Sequence, residues 1–194
     1  MAYDALAESV ELIESRLLKP VARLSRRRRF AAMSVDVTGD VAVTTFARRG
    51  VGCIWHDTHV FALKEGSRWM WLGGHSSNGQ DDLLDDRPSA LPAYLSDNAA
   101  RLGVDEPGPI VVDGGAGGVR DSESGRNPGR WISIAGIRVN DQVELIGVAD
   151  RILDVPWHGR VTVVWTGRRP PRVVALDRQR QPLAKVYLAN HPRP

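Results

Sequence analysis

Cysteine is almost absent from this chain of 194 residues, because Cys53 is the single one. No internal disulfide can form, so we expect a reducing compartment. The sequence also lacks G-x-S-x-G, H-E-x-x-H and C-x-x-C, which excludes common signatures of hydrolases, zinc peptidases and redox proteins. Its first residues read as neither a secretory signal nor a membrane span, and we expect a cytoplasmic protein.

Lysine is scarce too, and Lys19, Lys64 and Lys185 are the three present. Residues 1–50 hold nine basic and six acidic residues, residues 51–149 hold eight and 14, and residues 150–194 hold nine and three. The ends are therefore arginine-rich and the middle is acidic. Arginine favours bidentate contacts to carboxylate or phosphate, although a GC-rich genome would also replace lysine with arginine throughout.

The stretch Val51–Gly74 predicts two antiparallel strands joined by a tight turn at residues 65–67. A three-residue loop gives a register that places four large side chains on one face, namely Phe61, Leu63, Trp69 and Trp71. The opposite face is also apolar. We therefore expect the hairpin to be covered on both sides.

The N-terminal segment predicts an amphipathic helix. Asp4 is a suitable N-cap, and apolar residues recur at steps of three and four as far as Leu24, with a kink or restart expected at Pro20. Arg26–Arg29 would lie at the end of this helix, where cations complement its dipole. The functional alternative is a contact for an acidic partner, a nucleic acid or an anionic membrane. Its residues would be Arg23, Arg26, Arg27, Arg28 and Arg29.

The residues around Gly39-Asp40 predict an earlier hairpin. These two residues are a two-residue turn signal. We prefer a three-residue loop that begins at Thr38, because it pairs Val37 with Val41 and keeps the valines on one buried face.

The following segments are assigned by composition. Residues 75–89 are polar and predict an exposed loop, whereas residues 92–102 predict a short helix. A turn cluster at residues 105–109 is the expected domain boundary.

Short predicted strands dominate the remainder, and their spacing is typical of a sandwich or barrel. They cover residues 110–113, 131–135, 143–148, 160–166, 172–176 and 183–188, with a glycine-rich loop over 114–129. We predict an α+β, mainly β fold. A helix on an antiparallel meander occupies residues 1–104 and a β-sandwich-like half occupies residues 105–194, with one continuous domain as the alternative.

Residues 1–74 resemble the SnoaL-like cone-fold superfamily, which includes nuclear transport factor two-like proteins. The leading helix carries the resemblance together with Gly39-Asp40-Val41-Ala42-Val43 and Lys64-Glu65-Gly66-Ser67-Arg68-Trp69. The resemblance implies a curved sheet around a pocket used for small ligands, for catalysis on them or for dimerisation. No catalytic residue is transferred from it.

The motif Trp55-His56-Asp57-Thr58-His59 suggests a metal or acid–base site. Residues 56 and 59 point to opposite faces of a regular strand, so we predict no metal. Asp57 and His59 share a face and are the catalytic candidates if a pocket exists, with Trp69 and Trp71 as its ligand-binding walls. Cys53 and His59 lie about 20 Å apart along one strand, which excludes a dyad.

Two further loops lack the spacing of known sites. The glycines after Asp113 do not form G-x-G-x-x-G, and the aspartates of residues 81–86 do not fit an EF-hand. We therefore predict no cofactor.

Three functions follow from these patterns. The leading hypothesis is a non-catalytic interaction or accessory module that docks a protein partner, or itself, through arginine-rich ends and an acidic middle. The alternatives are a small-molecule-binding or enzymatic pocket under the meander, and nucleic-acid or anionic-surface binding through Arg26–Arg29. For the last, Trp55 and Trp157 are the tryptophans expected to be exposed, with the others mostly in the core.

Overall fold

The structure is a computed structural model that describes residues 4–64, 68–79, 83–92, 94–95, 108–113, 117–121, 129–167 and 169–188. Within these ranges it is mainly β, with one N-terminal helix ahead of antiparallel sheets, so the predicted fold class is confirmed. The helix and first sheet comprise α1 (Ala5–Ser15), β1 (Phe30–Thr38), β2 (Val41–Arg49), β3 (Ile54–Lys64) and β4 (Arg68–Gly79). The later strands are β5 (Ile110–Val112), β6 (Gly117–Asp121), β7 (Arg130–Val139), β8 (Leu145–Val148), β9 (Arg151–Asp154), β10 (Arg160–Thr166), β11 (Arg172–Leu176) and β12 (Pro182–Tyr187).

Helix α1 begins as predicted and ends early. The Asp4 carboxylate accepts hydrogen bonds from the backbone N–H groups of Leu6 and Ala7, at 3.1 and 3.2 Å. The prediction that the helix continues past Pro20 is wrong. Arg16 takes a left-handed conformation (φ 52°), and its N–H donates to the Leu12 carbonyl at 2.8 Å, which closes the last turn. Over the described ranges, no helix has the length and apolar character that a bilayer crossing requires.

The first sheet has the strand order β1-β2-β3-β4, and its first turn differs from our preferred register. Thr38 pairs with Val41 and Val37 with Ala42, so the loop is the two-residue Gly39-Asp40 turn. The preference for three residues is wrong because β2 is buried on both faces, and burial therefore does not select the register. Gly39 has φ +58°, as the first residue of a type II′ turn requires.

The second hairpin has the predicted register, with Leu63 opposite Trp69 and Phe61 opposite Trp71. Its loop, residues 65–67, lies outside the described residues. The loop predicted after Gly74 is wrong at its start, because β4 passes a bulge and continues as a strand to Gly79, opposite Ile54. Residues 74–78 are exposed along an edge strand, so backbone pairing holds them without any apolar periodicity.

Both faces of the first sheet are covered, as the hairpin predicted. On one face, Ala42 and Phe61 pack with Ile13 of α1. The other face packs against the second sheet through Val41, Val43, Val60, Ala62, Ile132, Ile134 and Val164. Residues before and after position 104 therefore share one apolar cluster. At the edge of the sheet, Met70 and Trp71 remain about half exposed.

The second sheet has the order β10-β7-β5 with β6 also paired to β7, and the third has the order β12-β11-β8-β9. These two sheets enclose an apolar cluster that includes Ile137, Ile146, Val163 and Val173. The predicted β11–β12 hairpin is confirmed. The glycine-rich loop prediction is wrong over β6, and β9 was not predicted.

Two further predictions fall largely outside the described residues. Of the helix predicted over residues 92–102, Pro92, Tyr94 and Leu95 are described; Tyr94 and Leu95 are helical, whereas Pro92 is not. Residues 105–107 of the predicted boundary are not among the described ranges.

Polar side chains of β1 and β9 bind the backbone of β10, and we call this contact the β1–β10 seam. Its residues are Ser34, Asp36, Arg151, Thr162 and Val164. The free backbone edge of β10 is satisfied there by side chains, because the Thr162 N–H donates to Ser34 Oγ at 2.9 Å and the Val164 N–H donates to Asp36 Oδ2 at 2.8 Å. Arg151 donates to both carboxylate oxygens of Asp36, at 2.9 and 2.5 Å, and to the Val164 carbonyl at 2.7 Å. Side chains thus replace a neighbouring strand at this edge.

Candidate functional site

The arginine run forms an ordered turn between α1 and β1. Ser25 Oγ accepts hydrogen bonds from the N–H groups of Arg27 and Arg28, at 3.3 and 3.0 Å, and the Ser25 N–H donates to the Arg28 carbonyl at 2.8 Å. The Arg29 carbonyl accepts from the Arg49 N–H at 2.7 Å, which fixes the turn to β2. This self-bonded serine turn gives the run a defined backbone.

All four side chains of the turn, Arg26–Arg29, are exposed, and so is Arg23. Within the described part of the chain, none of the four guanidinium groups forms an ion pair. The explanation from the helix dipole is wrong, because α1 ends at Ser15 and the dipole effect fades within one turn. Neither the dipole of α1 nor a counter-ion among the described residues therefore accounts for these charges.

Other arginines of the chain are used internally. Arg48 Nε donates to Asp57 Oδ2 at 2.6 Å, and Arg160 donates to Asp113 Oδ2 at 2.8 Å. Further ion pairs join Arg87 to Glu144, Arg130 to Asp40 and Arg151 to Asp36. Two of these pairs, Arg48–Asp57 and Arg160–Asp113, connect the basic ends of the sequence to its acidic middle. Ion pairs within the fold thus neutralise part of the charge difference between the ends and the middle of the sequence.

An apolar cluster lies beneath the arginine turn, and we call it the turn cluster. It consists of Val21, Leu24, Ala31, Met33, Ala47, Leu83 and Leu84. Asp85 and Asp86 follow Leu84 directly and are exposed. Residues 81 and 82 of the acidic run lie outside the described residues. Two chain segments of the turn cluster therefore continue into charged residues, one into arginines and the other into aspartates.

Asp57 and His59, the acid–base candidates, lie on one face of β3. Burial alone would raise the pKa of the Asp57 carboxyl, but hydrogen bonds from Arg48 and Ser76 bring it below its ordinary value. Burial lowers the pKa of His59, whose ring contacts Phe46 at 6.1 Å between centroids. Arg48 also lies over the Trp55 ring, 5.8 Å from its centroid. Asp57 is thus held as a carboxylate in a structural pair with Arg48.

His56 faces the opposite side of β3, towards Arg160 and Asp113, as strand alternation predicts. Burial, with Arg160 and His75 nearby, lowers the pKa of His56 to about 4. Across the described residues, no group of three or more His, Cys, Asp or Glu side chains is arranged to hold a metal ion.

His158 belongs to the same internal region and was not singled out by the sequence. Its Nε2 lies 3.1 Å from the Met33 carbonyl oxygen, and its Nδ1 accepts from the Arg160 N–H at 3.1 Å. Burial, with Arg160 and His56 nearby, lowers its pKa to about 3. Both buried histidines are therefore neutral at pH 7.

The tryptophans follow the prediction in part, since Trp165 lies in the core as expected. Trp69 packs with Phe61 in the apolar cluster beneath α1, whereas Trp71 is 50 % exposed. Trp131, expected in the core, is 48 % exposed. Trp157, expected to be exposed, is half-buried and donates its indole N–H to the Leu84 carbonyl at 3.1 Å. The half-buried Trp55 likewise differs from the expectation.

The buried polar groups of the β1–β10 seam were missed by the sequence reasoning. The available signal was Asp36, a carboxylate standing between two valines of a predicted strand. Its partner Arg151 lies 115 residues away along the chain, and no local pattern indicates it.

Comparison of this chain with protein-family models, with curated proteins and with solved structures gives no match.

Proposed function

We propose that this protein is a non-catalytic interaction module that docks an acidic protein surface through the turn Arg26–Arg29. One observation carries the proposal: four exposed guanidinium groups on a hydrogen-bonded turn form no ion pair within the described residues. The turn orders the backbone in advance, which reduces the entropy lost on binding.

Arginine suits a carboxylate-bearing partner because its planar fork makes two parallel hydrogen bonds to one carboxylate. A cluster of like charges also steers an acidic surface into encounter. Apolar contact is available nearby, since Val51 is fully exposed in the β2–β3 connection and Arg49 of β2 is bonded to the turn.

The other two functions have less support. The half-exposed tryptophans, Trp71 and Trp131, lie on β4 and β7, and Phe30, which follows the turn, packs edge-on against Phe46. Among the described residues, Trp71, Trp131 and Phe30 therefore give the turn no adjacent stacking platform of the kind that single-stranded nucleic acids use. Under the meander, Trp69 packs against α1 and contributes to the core. The cone-fold resemblance of residues 1–74, with its implied pocket, stays a prediction.

The test is a titration of a fluorescently labelled glutamate-rich peptide, followed by anisotropy at low salt. We expect R26A/R27A/R28A/R29A to weaken binding at least about tenfold, since each lost charge contact contributes a few tenths to 1 kcal/mol. A matched variant, R68A/R169A/R172A/R178A, removes four other exposed arginines and the same net charge.

The matched variant is expected to bind within about twofold of the wild type, apart from a general charge effect. Equal losses of peptide affinity in the two variants would contradict a defined site, because net charge alone would then explain the binding. Tighter binding of a labelled oligonucleotide than of the peptide would replace the acidic protein partner by nucleic acid.

A further inference from the structure

Two segments of the turn cluster lead into opposite charges along the chain. Leu24 leads through Ser25 into the basic patch, which we define as Arg26–Arg29, and Leu84 leads directly into the acidic patch, which we define as Asp85 and Asp86. Since Leu24 and Leu84 belong to the same cluster, the basic patch begins two residues from it and the acidic patch begins one residue from it.

Neither patch is neutralised by a side chain among the described residues. None of their six side chains forms an ion pair with any residue that the structure describes. Both backbones are fixed: Ser25 holds the basic patch, while Trp157 holds the segment of the acidic patch. The Trp157 indole donates to the Leu84 carbonyl, and its own carbonyl accepts from the Arg87 N–H at 2.9 Å. Each patch therefore has a hydrogen-bonded backbone and forms no ion pair with a described residue.

We propose that the acidic surface docked by the arginine turn is the acidic patch of a second copy of this chain. A two-fold axis between the patches places the arginines of each copy against the aspartates of the other, so that each contact occurs twice. This inference rests on the proposed docking role of the turn, and it names the partner. A second copy presents both an acidic and a basic patch, so that by symmetry it can contact both patches of the first copy at once.

The association is expected to be weak and sensitive to salt. Exposed ion pairs are individually weak, so a few symmetric pairs supported by Val51 are expected to give a dimer with a dissociation constant of about 10 μM or higher. Raising the salt from about 0.05 to 0.5 M shortens the screening length severalfold and should weaken the dimer at least about tenfold.

The test is sedimentation velocity on the whole chain with two charge-reversed variants, R26E/R27E/R28E/R29E and D85R/D86R. Each variant alone carries like charges on both patches and should be monomeric at low salt. An equimolar mixture of the two should dimerise, because the patches are then complementary between the two variants. All six positions are exposed, and circular dichroism checks that each variant is folded. If either fails to fold, R26A/R27A/R28A/R29A and D85N/D86N serve instead, with loss of dimer expected in each.

The outcomes separate this inference from the proposed function. A salt-sensitive wild-type dimer that is lost in each variant and restored in the mixture supports the inference. A wild-type protein that is monomeric at low salt, but whose arginine turn still binds the glutamate-rich peptide, overturns the second copy and leaves the docking function standing. A wild-type protein that is monomeric at low salt and does not bind the glutamate-rich peptide overturns both. A dimer that persists in the reversed variants places the interface elsewhere and also overturns the inference.

Discussion

Arginine serves two different purposes in the β1–β10 seam and in the arginine turn. In the seam, the Asp36 side chain is fully buried, and Arg151 gives it two hydrogen bonds while a strand backbone supplies a third. In the turn, Arg26–Arg29 are exposed and have no counter-ion among the described residues. In the seam, the fold pairs the buried charges. In the turn, the fold supplies the hydrogen bonds of the backbone, and the charges have no counter-ion among the described residues.

The difference teaches how to separate structural charge from functional charge. A buried pair becomes strongly destabilising when one partner is removed, because the other charge stays in a poorly solvated site. Truncation of an exposed arginine costs the protein almost no stability, because water already solvates the charge. The two regions should therefore respond oppositely to the same kind of substitution, with stability changing in one and binding in the other.

The largest effect is expected for Asp36→Ala. The substitution leaves Arg151 without its carboxylate and the Val164 N–H without an acceptor. We expect the free energy of unfolding to fall by about 3–5 kcal/mol, measured by urea denaturation. Asp154→Ala, at an exposed position on neighbouring β9, should change it by less than about 0.5 kcal/mol. A D36A protein within about 1 kcal/mol of the wild type would contradict the structural role of the seam.

The second effect is acid destabilisation through His56 and His158. Their pKa values are about 4 and about 3 in the folded protein, against an ordinary value of 6.5. The unfolded chain therefore binds more protons between pH 6.5 and about 4, and stability falls as the pH falls through this window. From pH 6 to pH 5 the two histidines together should cost about 2 kcal/mol.

Urea midpoints of the wild type and of H56Q/H158Q at these two pH values measure this effect. The variant starts from a lower stability, yet its loss between the two pH values should be much smaller than that of the wild type. Replacement of the exposed His75 by Gln is the control. If H56Q/H158Q and the wild type lose the same stability between pH 6 and pH 5, groups other than these two histidines cause the acid destabilisation.

A smaller loss is expected for Ser34→Ala. The Thr162 N–H loses its acceptor at the free edge of β10, and an unsatisfied buried donor costs about 1–3 kcal/mol. Chemical denaturation again gives the difference, with Ser77→Ala at an exposed position of β4 as the control. An S34A protein as stable as its control would mean that water replaces the hydroxyl.

The smallest effect on stability is expected for R26A/R27A/R28A/R29A. Because the Ser25 hydroxyl and the backbone carry the hydrogen bonds of the turn, the free energy of unfolding should change by less than about 1 kcal/mol. Thermal and urea unfolding measure it directly. A loss as large as that of D36A would make these arginines structural and remove the contrast between the two regions.

The sequence predicted those elements whose apolar alternation selects one arrangement. It gave the Leu63–Trp69 register and the β11–β12 hairpin correctly. It failed at β2, where both faces are buried, and at the exposed edge of β4, where pairing needs no apolar side chains. The early end of α1 at Arg16 carries no glycine signal, since a non-glycine residue adopts the left-handed conformation.

The candidate site was predictable in part. The arginine run is visible in the sequence, but the absence of a counter-ion among the described residues depends on the folded structure. Leu24 and Leu84 belong to the turn cluster together, across a sequence separation that no periodicity spans. The Asp36–Arg151 pair is hidden for the same reason.

The most direct test of the central claim is a ¹H–¹⁵N correlation spectrum of the labelled protein, titrated with the glutamate-rich peptide. The account predicts shifts concentrated at the amides of Arg27 and Arg28, which donate to Ser25, and at Arg49, which is bonded to the turn. Shifts centred instead on the exposed arginines of residues 169–178, or on His59 and its neighbours in β3, would contradict it.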